Sequence, residues 1–213
     1  MMEERLSAFL ASVEEYAPEY LRELRSAAEE EGVPIIRRDM ERLLTVLLAM
    51  THPRKILEIG TGVGYSALVM REYAPEAEEI LTVEDFAPRQ KKAEQNIRKA
   101  DQNGTIRLIK REAEGVIRTL PEGEMDFIFL DAAKGQYPVL LPELKRVLRV
   151  GGTLLTDNVL FGDAVLESRF LSPRRDRPIH KRMREYLREL LTDASFRTTV
   201  LSLGDGAAVS VKL

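Results

Sequence analysis

The sequence predicts a doubly wound α/β fold with a mostly parallel sheet, and three observations carry this prediction. From residue 54 onward, short apolar runs of strand length alternate with longer runs that have helical spacing. A glycine-rich loop follows the first predicted strand. The last two predicted strands, Phe196–Leu201 and Ala207–Lys212, are separated by a short turn, which indicates an antiparallel hairpin.

The strands and helices alternate in the order that parallel sheets require, with a crossover helix after each strand. The pattern predicts strands at 54–59, 79–83, 106–110, 125–130 and 152–156, and helices at 65–73, 88–100, 114–120, 137–148 and 179–191. In such sheets ligands bind beyond the carboxyl ends of the strands. The residues that follow each strand are therefore the candidates for chemistry.

Residues 1–51 are predicted to form a helical appendage to a sheet core at 54–213, within one domain spanning 1–213. Apolar residues at helical spacing predict two helices divided by Pro18, and a third at 38–51 that ends before His52-Pro53. The amphipathic character of these helices predicts a homodimer, or a lid over the site.

Composition excludes several classes of site. The 213 residues contain no cysteine, which removes disulfides, thiolate metal sites and cysteine nucleophiles. No apolar run approaches the ~20 residues that span a bilayer, and the acidic start is unlike a signal peptide. We therefore expect a cytoplasmic protein without a membrane partner. A net charge of -3 gives no overall attraction to nucleic acid.

The glycine loop after the first strand reads Glu58-Ile59-Gly60-Thr61-Gly62-Val63-Gly64-Tyr65-Ser66. Its G-x-G-x-G spacing differs from the dinucleotide fingerprint, in which the third glycine would stand where this chain has Tyr65. A carboxylate at Glu58 would repel a pyrophosphate but could pair with an ammonium group. The loop therefore favours S-adenosylmethionine over NAD, although a plain strand-to-helix turn would share its glycines.

Two further strand ends complete the predicted cofactor site. Glu84 follows the second strand, about 24 residues after Gly60, where a carboxylate can accept hydrogen bonds from both ribose hydroxyls. The third strand leads into Arg111-Glu112-Ala113, which could flank an adenine ring.

The fourth and fifth strands end in residues that suit a metal ion. Asp131 follows the fourth strand, and Asp157 and Asn158 follow the fifth. Adjacent parallel strands would bring these oxygen ligands to one edge, where they suit Mg²⁺. Isolated acids at strand ends would also be unremarkable, so the pattern alone leaves both readings open.

The chain resembles the catechol-type, cation-dependent O-methyltransferases, through L-E-I-G-T-G-V-G-Y-S, V-E-D, D-A-A-K-G-Q-Y and T-D-N-V-L between about Ile36 and the C-terminus. The resemblance implies a Rossmann-like methyltransferase sheet with S-adenosylmethionine and Mg²⁺ as cofactors. It implies Lys134 as catalytic base, metal ligands at Asp131, Asp157 and Asn158, and cofactor contacts at Ile36, Glu58, Gly60, Ser66, Glu84, Ala113 and Asp131.

Within that family, D-A-A-K-G-Q-Y followed by D-N-V-L-F-G looks most like the bacterial tRNA 5-hydroxyuridine methyltransferases, which make 5-methoxyuridine at the wobble position. Many small-molecule members carry an acid where this chain has Ala133. The last acidic ligand of the catechol enzymes has no position that can be matched here.

A basic stretch after the fifth strand bears on the substrate. Seven Lys or Arg residues lie between Arg169 and Arg184, against the single acid Asp176. Arg174, Arg175 and Arg177 could hold the phosphates of an anticodon loop, or the stretch could be a solvated surface. Three hypotheses remain: a tRNA wobble-uridine methyltransferase, a methyltransferase of small catechol-like phenols, and a non-catalytic module that binds adenosylmethionine or RNA.

Overall fold

The computed structural model contains a seven-stranded sheet in the order β3-β2-β1-β4-β5-β7-β6, flanked by helices. It describes residues 17–161, 164–168, 170 and 173–213, together with 5, 9, 12 and 13 near the N-terminus. The strands are β1 Lys55–Ile59, β2 Glu79–Val83, β3 Ile106–Ile109, β4 Met125–Leu130, β5 Leu148–Asp157, β6 Phe196–Leu201 and β7 Ala207–Lys212. The helices are α1 Glu19–Glu30, α2 Arg38–Thr51, α3 Tyr65–Tyr73, α4 Ala87–Ala100, α5 Ala113–Ile117, α6 Tyr137–Val147 and α7 Arg177–Thr192. A single 3-10 turn, Lys134–Gln136, precedes α6.

The predicted fold class is confirmed by the strand pairing. The five strands β1 to β5 are parallel to one another, and β7 pairs antiparallel with both β5 and β6. The chain runs outward from β1 to β3 and then returns to β4 on the other side of β1. The order therefore reverses between β1 and β4, and this is the point at which doubly wound sheets bind ligands.

Alternation along each strand divides the core into two layers. On β4, Phe127 and Phe129 pack with the layer that contains α1, α2 and α3, whereas Ile128 and Leu130 pack with the layer under α6 and α7. A parallel sheet buried on both faces needs apolar residues on both sides of each strand. The continuous run Phe127–Leu130 meets that need, and all of its side chains are fully buried.

β5 is longer than the sequence predicts, because it begins at Leu148 rather than at residue 152. Its first residue pairs with Met125, and the register then shifts before Phe127 pairs with Thr153. Gly151 and Gly152 lie at this irregularity. Glycines are poor strand formers, so the sequence pattern conceals the first half of the strand.

The N-terminal helices contribute to the sheet's own core. Leu21 of α1 and Leu44 and Leu48 of α2 are almost completely buried in the same cluster as Ile56 of β1 and Leu155 of β5. The helix predicted before Pro18 falls largely outside the described residues. No helix among the residues that the structure describes is long and apolar enough to cross a membrane.

The packing of α2 yields a stability prediction. Leu44→Ala should lower the free energy of unfolding by about 2–5 kcal/mol, because it leaves a cavity between α2 and the sheet. Val46→Ala is the matched control on the same helix, since Val46 is 55% exposed and should change stability by less than about 0.5 kcal/mol. Denaturant unfolding measures both variants. Equal small losses would contradict the packing of α2 on the sheet.

Candidate active site

The candidate site lies at the end of one row of paired residues across four strands, which we call the register row. Val83, Ile59, Leu130 and Thr156 lie side by side in β2, β1, β4 and β5. The residues one position further along are Glu84, Gly60, Asp131 and Asp157, and they line a cavity of about 600 Å³. The cavity also receives Ile36, Ala113, Lys134 and Asn158. The structure therefore brings together eight of the residues that the sequence singled out.

Gly60 permits the ends of β1 and β4 to approach closely. Its φ is +103°, and a Cβ atom built on it would lie 1.9 Å from the carbonyl oxygen of Asp131. The backbone N–H of Asp131 donates to the Ile59 carbonyl at 2.9 Å, and that of Gly60 donates to the Val83 carbonyl at 3.0 Å. No side chain fits between these strands, so any other residue would push Asp131 away from the cofactor side.

Glu84 is buried beside the glycine loop and faces the cavity. Its Oε2 accepts a hydrogen bond from the N–H of Gly62 at 2.9 Å, and its Oε1 accepts one from the N–H of Phe86 at 3.0 Å. Each carboxylate oxygen has two lone pairs, so the side chain can accept further hydrogen bonds from a ligand. Glu84 thus holds the loop and can bind a diol.

Glu58 lies beneath the glycine loop rather than on the cavity wall. Its Oε2 accepts a hydrogen bond from the Thr82 hydroxyl, and its Oε1 has no hydrogen-bond partner among the described residues. Burial raises the pKa of Glu58 to about 7, the nearby hydroxyls of Ser66 and Thr82 oppose that rise, and the charges of Asp131 and Glu84 add to it. Ser66 is likewise buried and lies behind the wall.

Asp131, Asp157 and Asn158 form a compact oxygen-rich group. Asn158 donates from its side-chain amide to Asp131 Oδ1 at 3.3 Å and from its backbone N–H to Asp157 Oδ1 at 2.6 Å. Burial raises the pKa of Asp157 to about 7, and the neighbouring Asp131 raises it further, whereas the Asn158 N–H and Lys134 lower it. Burial also raises the pKa of Asp131, against the opposing charges of Lys134 and Arg89.

This group fits a divalent cation. Two carboxylates that repel each other in a buried position lack positive charge, and a hard cation with oxygen ligands supplies it. No cluster of three or more His, Asp or Glu side chains with metal-binding geometry occurs among the described residues. The candidate set is therefore two carboxylates and an amide, with the remaining positions left for water or substrate oxygens.

Lys134 begins the 3-10 turn directly after the Asp131 edge. Its ammonium group lies 5.8 Å from the centre of the Phe161 ring and lines the cavity. Arg182 of α7 donates to the carbonyl of Gly135 at 2.7 Å. The turn that carries Lys134 is thus held from the α7 side, and Lys134 is placed to exchange a proton with a ligand in the cavity.

Glu112 and the three arginines of the basic stretch do not line the cavity. The Glu112 carboxylate caps α5 instead, accepting from the N–H groups of Glu114 at 3.0 Å and Gly115 at 3.1 Å. Arg174 and Arg175 are exposed just before α7, and Arg177 begins that helix. Arg169 lies outside the described residues.

Sequence reasoning missed the residues that support the site from behind. The Tyr137 hydroxyl donates to the Asp157 carbonyl at 3.1 Å, and its ring packs edge-on against Tyr186 with centroids 5.4 Å apart. At the cavity mouth, Arg37 donates to the Asp205 carboxylate at 3.2 Å. Tyr137 closes the D-A-A-K-G-Q-Y motif and could have been found there. Asp205, in a turn between two glycines, gives no such signal.

Arg25 was also missed, although it is only 6% exposed. It donates to the Tyr65 hydroxyl and to the Ile36 carbonyl, each at 3.1 Å, and forms an ion pair with Glu41. Tyr65 donates in turn to Glu41 at 2.9 Å. The signal was available, because Arg25 follows Leu21 by four residues and so occupies the apolar face of α1.

Comparison with known proteins identifies the family. Residues 11–213 match the family model described as O-methyltransferase. The chain belongs to the O-methyltransferase family. A probable caffeoyl-CoA O-methyltransferase of Arabidopsis thaliana is 29% identical to this O-methyltransferase over 203 residues, covering 92% of this chain and 88% of the relative.

Solved structures agree with this assignment. A putative caffeoyl-CoA O-methyltransferase from Staphylococcus aureus superposes with a TM-score of 0.87 at 27% identity, covering 100% of this O-methyltransferase and 99% of that chain. A Podospora anserina methyltransferase solved with S-adenosylhomocysteine shares the fold, with a TM-score of 0.87 at 24% identity over 100% of this chain and 95% of that one. The prediction of an O-methyltransferase that acts as an enzyme is confirmed, and the non-catalytic hypothesis is set aside.

The buried Glu58 makes the stability of the ligand-free O-methyltransferase depend on pH. Because its pKa rises from 4.5 to about 7 on folding, Glu58 takes up a proton as the chain folds, and its contribution to stability falls as pH rises between those values. Glu58→Gln removes this dependence. Between pH 5 and pH 8 the variant should therefore gain about 2 kcal/mol relative to the wild type.

Denaturant unfolding at several pH values measures this difference. Glu94→Gln is the control, since Glu94 is an exposed residue of α4 paired with Lys110. Wild-type and Glu58→Gln stability curves that run parallel from pH 5 to pH 8 would show that the Glu58 carboxylate does not change its protonation on folding.

Proposed function

We propose that this O-methyltransferase uses S-adenosylmethionine and Mg²⁺ to methylate 5-hydroxyuridine at the wobble position of tRNA, producing 5-methoxyuridine. One observation carries the proposal. The register row brings the carboxylates of Glu84, Asp131 and Asp157 to the wall of one cavity, and the side chain of Lys134 lines the same cavity.

Three features support S-adenosylmethionine as the methyl donor. Glu84 can accept hydrogen bonds from the ribose hydroxyls, beside the Gly62 N–H that it already holds. Ile36 and Ala113 offer buried apolar surface to an adenine ring. A cationic ligand would stabilise the ionised form of Glu58 beneath the loop, because burial raises the pKa of that carboxyl group to about 7. The fold-related Podospora enzyme, solved with S-adenosylhomocysteine, agrees with this choice.

The residues that would hold Mg²⁺ are Asp131, Asp157 and Asn158. When bound, the ion supplies Lewis acidity that lowers the pKa of a coordinated hydroxyl group. An acceptor with two adjacent oxygens suits such a site. The 5-hydroxyl and 4-carbonyl of 5-hydroxyuridine provide this pair, as do the two hydroxyls of a catechol.

Lys134 then acts on the proton of the acceptor. As the unprotonated amine, its Nζ accepts the proton from the hydroxyl oxygen as that oxygen attacks the methyl carbon of the sulfonium. The new O–CH₃ bond forms as the S–CH₃ bond breaks, and S-adenosylhomocysteine leaves with the electron pair on sulfur. Because the backbone at Gly60 lies close to that at Asp131, the methyl donor beside Gly60 would lie next to the acceptor beside Asp131. An in-line transfer requires this proximity.

Two features favour tRNA as the acceptor. Ala133 directly precedes Lys134, at a position where many small-molecule relatives carry an acidic side chain. Without that negative charge, a polyanion is not repelled from Lys134. Arg174 and Arg175 add exposed positive charge before α7, the helix that holds the catalytic turn through Arg182.

Small catechol-like phenols are the second candidate, because the named relatives favour them. The Arabidopsis and Staphylococcus relatives carry the name caffeoyl-CoA O-methyltransferase. A phenol attached to coenzyme A would also bring phosphates to a basic surface. Turnover measured on tRNA, catechol and caffeoyl-CoA distinguishes these acceptors.

Replacing Glu84 tests the cofactor site. Glu84→Ala should weaken the binding of S-adenosylhomocysteine by about 1–3 kcal/mol, since the variant cannot form charge-assisted hydrogen bonds to the ribose. Isothermal titration calorimetry measures this, with Glu94→Ala on the exposed face of α4 as the control of equal charge. An unchanged affinity in Glu84→Ala would remove Glu84 from the cofactor site.

Removing the metal site tests the Mg²⁺ mechanism. Asp157→Ala should lower kcat about a hundredfold or more and leave the affinity for S-adenosylhomocysteine nearly unchanged, because Asp157 lies on the acceptor side of the row. Chelation of the wild type should abolish turnover, and added Mg²⁺ should restore it. Full activity in excess EDTA would recast Asp131 and Asp157 as structural acids.

The acceptor is tested by comparing turnover on tRNA containing 5-hydroxyuridine, the free nucleoside, catechol and caffeoyl-CoA. We expect the highest kcat/KM on tRNA. Replacing Arg174, Arg175 and Arg177 with Ala should raise the KM for tRNA and flatten its salt dependence by about one log–log unit for each phosphate that these side chains no longer bind. Turnover of the nucleoside should barely change.

The charge-matched control for this comparison replaces Lys91, Arg98 and Lys99, three exposed cations of α4, with Ala. Good catechol or caffeoyl-CoA turnover without tRNA methylation would overturn the tRNA assignment in favour of a phenolic acceptor.

A further inference from the structure

A second cavity, of about 660 Å³, lies between α7 and residues 164–168. Apolar side chains line part of it, among them the buried Val165 and Leu187 and the exposed Leu166. The cations Lys181, Arg184 and Arg188 also line it, against the single acid Glu185. The cavity therefore combines apolar surface with an excess of positive charge.

This cavity adjoins the active site through two connections. Phe161, whose ring lies beside Lys134, leads along the chain to Val165, and the Val165 N–H donates back to the Leu160 carbonyl at 3.2 Å. On the other side, Arg182 contacts the catalytic turn through Gly135, and its neighbour Lys181 lines the second cavity. Phe161 and Val165 on one side, and Arg182 and Lys181 of α7 on the other, thus connect the two cavities.

Polar contacts from α7 hold the wall of this cavity. The ring of His180, which is only 2% exposed, has Nε2 at 3.1 Å from the Glu167 carbonyl oxygen. Arg184 donates from Nη1 to the same carbonyl at 3.3 Å. A guanidinium group has five N–H donors, so Arg184 retains donors for an anion while it holds the wall.

The positive charge on α7 is not explained by local pairing or by the helix itself. Lys181 and Glu185 are 3.6 Å apart and both exposed, an arrangement that contributes little to stability. Lys181, Arg184 and Arg188 follow one another on α7 at intervals of three and four residues, so their like charges repel one another on one face of the helix. An anionic partner would offset that repulsion.

We propose that this second cavity binds a nucleotide of the RNA substrate next to the uridine that is methylated. The nucleotide's phosphate contacts Lys181, Arg184 and Arg188, and its base packs on Val165 and Leu166. The inference rests on the proposed tRNA function, since a free phenol in the catalytic cavity has no second group to place here. Phosphates fix the position of the strand while apolar surface accepts an unstacked base.

The test compares kcat/KM for an anticodon stem–loop RNA containing 5-hydroxyuridine with that for the free nucleoside. Replacing Lys181, Arg184 and Arg188 with Ala should raise the KM for the stem–loop about tenfold or more and flatten the salt dependence by up to about three log–log units. The nucleoside should be turned over as by the wild type, which shows that the catalytic cavity is intact. The α4 variant without Lys91, Arg98 and Lys99 serves as the charge-matched control.

A second variant probes the base contact separately from the phosphate contact. Leu166→Ala should raise the KM for the stem–loop severalfold and leave its salt dependence unchanged, because an apolar contact releases no counterions. Leu166 is 67% exposed, so its replacement should leave folding intact.

The outcomes separate the two proposals. If the wild type methylates the stem–loop but the α7 triple variant behaves like the α4 control, the nucleotide site is overturned and the tRNA function stands. If Leu166→Ala matches the wild type, the cavity does not receive a base and the site is overturned as stated. If the wild type methylates only small phenols, the tRNA function fails and this inference fails with it.

Discussion

The register of four parallel strands is the constraint on which the rest of the site depends. Val83, Ile59, Leu130 and Thr156 form one row, so the residues that follow them leave the sheet at the same height. Glu84, Asp131 and Asp157 follow separate strands, yet their spacing is set by the backbone hydrogen bonds of the sheet. A shift of one residue in any strand would turn its following side chain to the opposite face. The positions of the side chains in the site are therefore fixed by the register of the sheet.

The acids that follow this row, together with Glu58 beneath the glycine loop, gather carboxyl groups in a buried place. Glu58, Asp131 and Asp157 all have raised pKa values, and burial is the main cause in each case. Lys134 and Arg89 lower the pKa of Asp131 but do not cancel the rise. A cationic ligand at this edge would bring the positive charge that the buried acids lack, and its binding would relieve their mutual repulsion.

The sequence was most informative where function depends on local pattern, and less so where it depends on tertiary packing. The strand ends, the glycine loop and the order of the elements follow from local pattern, and so the residues that directly follow the strands could be predicted to line the cavity. The role of Glu112 was not predictable from its position after a strand, because its carboxylate caps its own helix instead of facing a ligand. The cavity beside α7 brings together residues distant from the catalytic motifs, and only the folded chain shows that it adjoins Lys134.

The buried ion pair of Arg25 and Glu41 gives the N-terminal helices a part in ligand recognition that their position does not suggest. One guanidinium group holds the Ile36 carbonyl on the cavity wall and the Tyr65 hydroxyl at the start of the helix after the glycine loop. The wall at Ile36 and the helix that follows the glycine loop thus share a single anchor, supplied by a helix that does not line the cavity. Divergence or loss of α1 in a related chain would loosen both sides together, and cofactor affinity would change without the substitution of any residue that touches the cofactor.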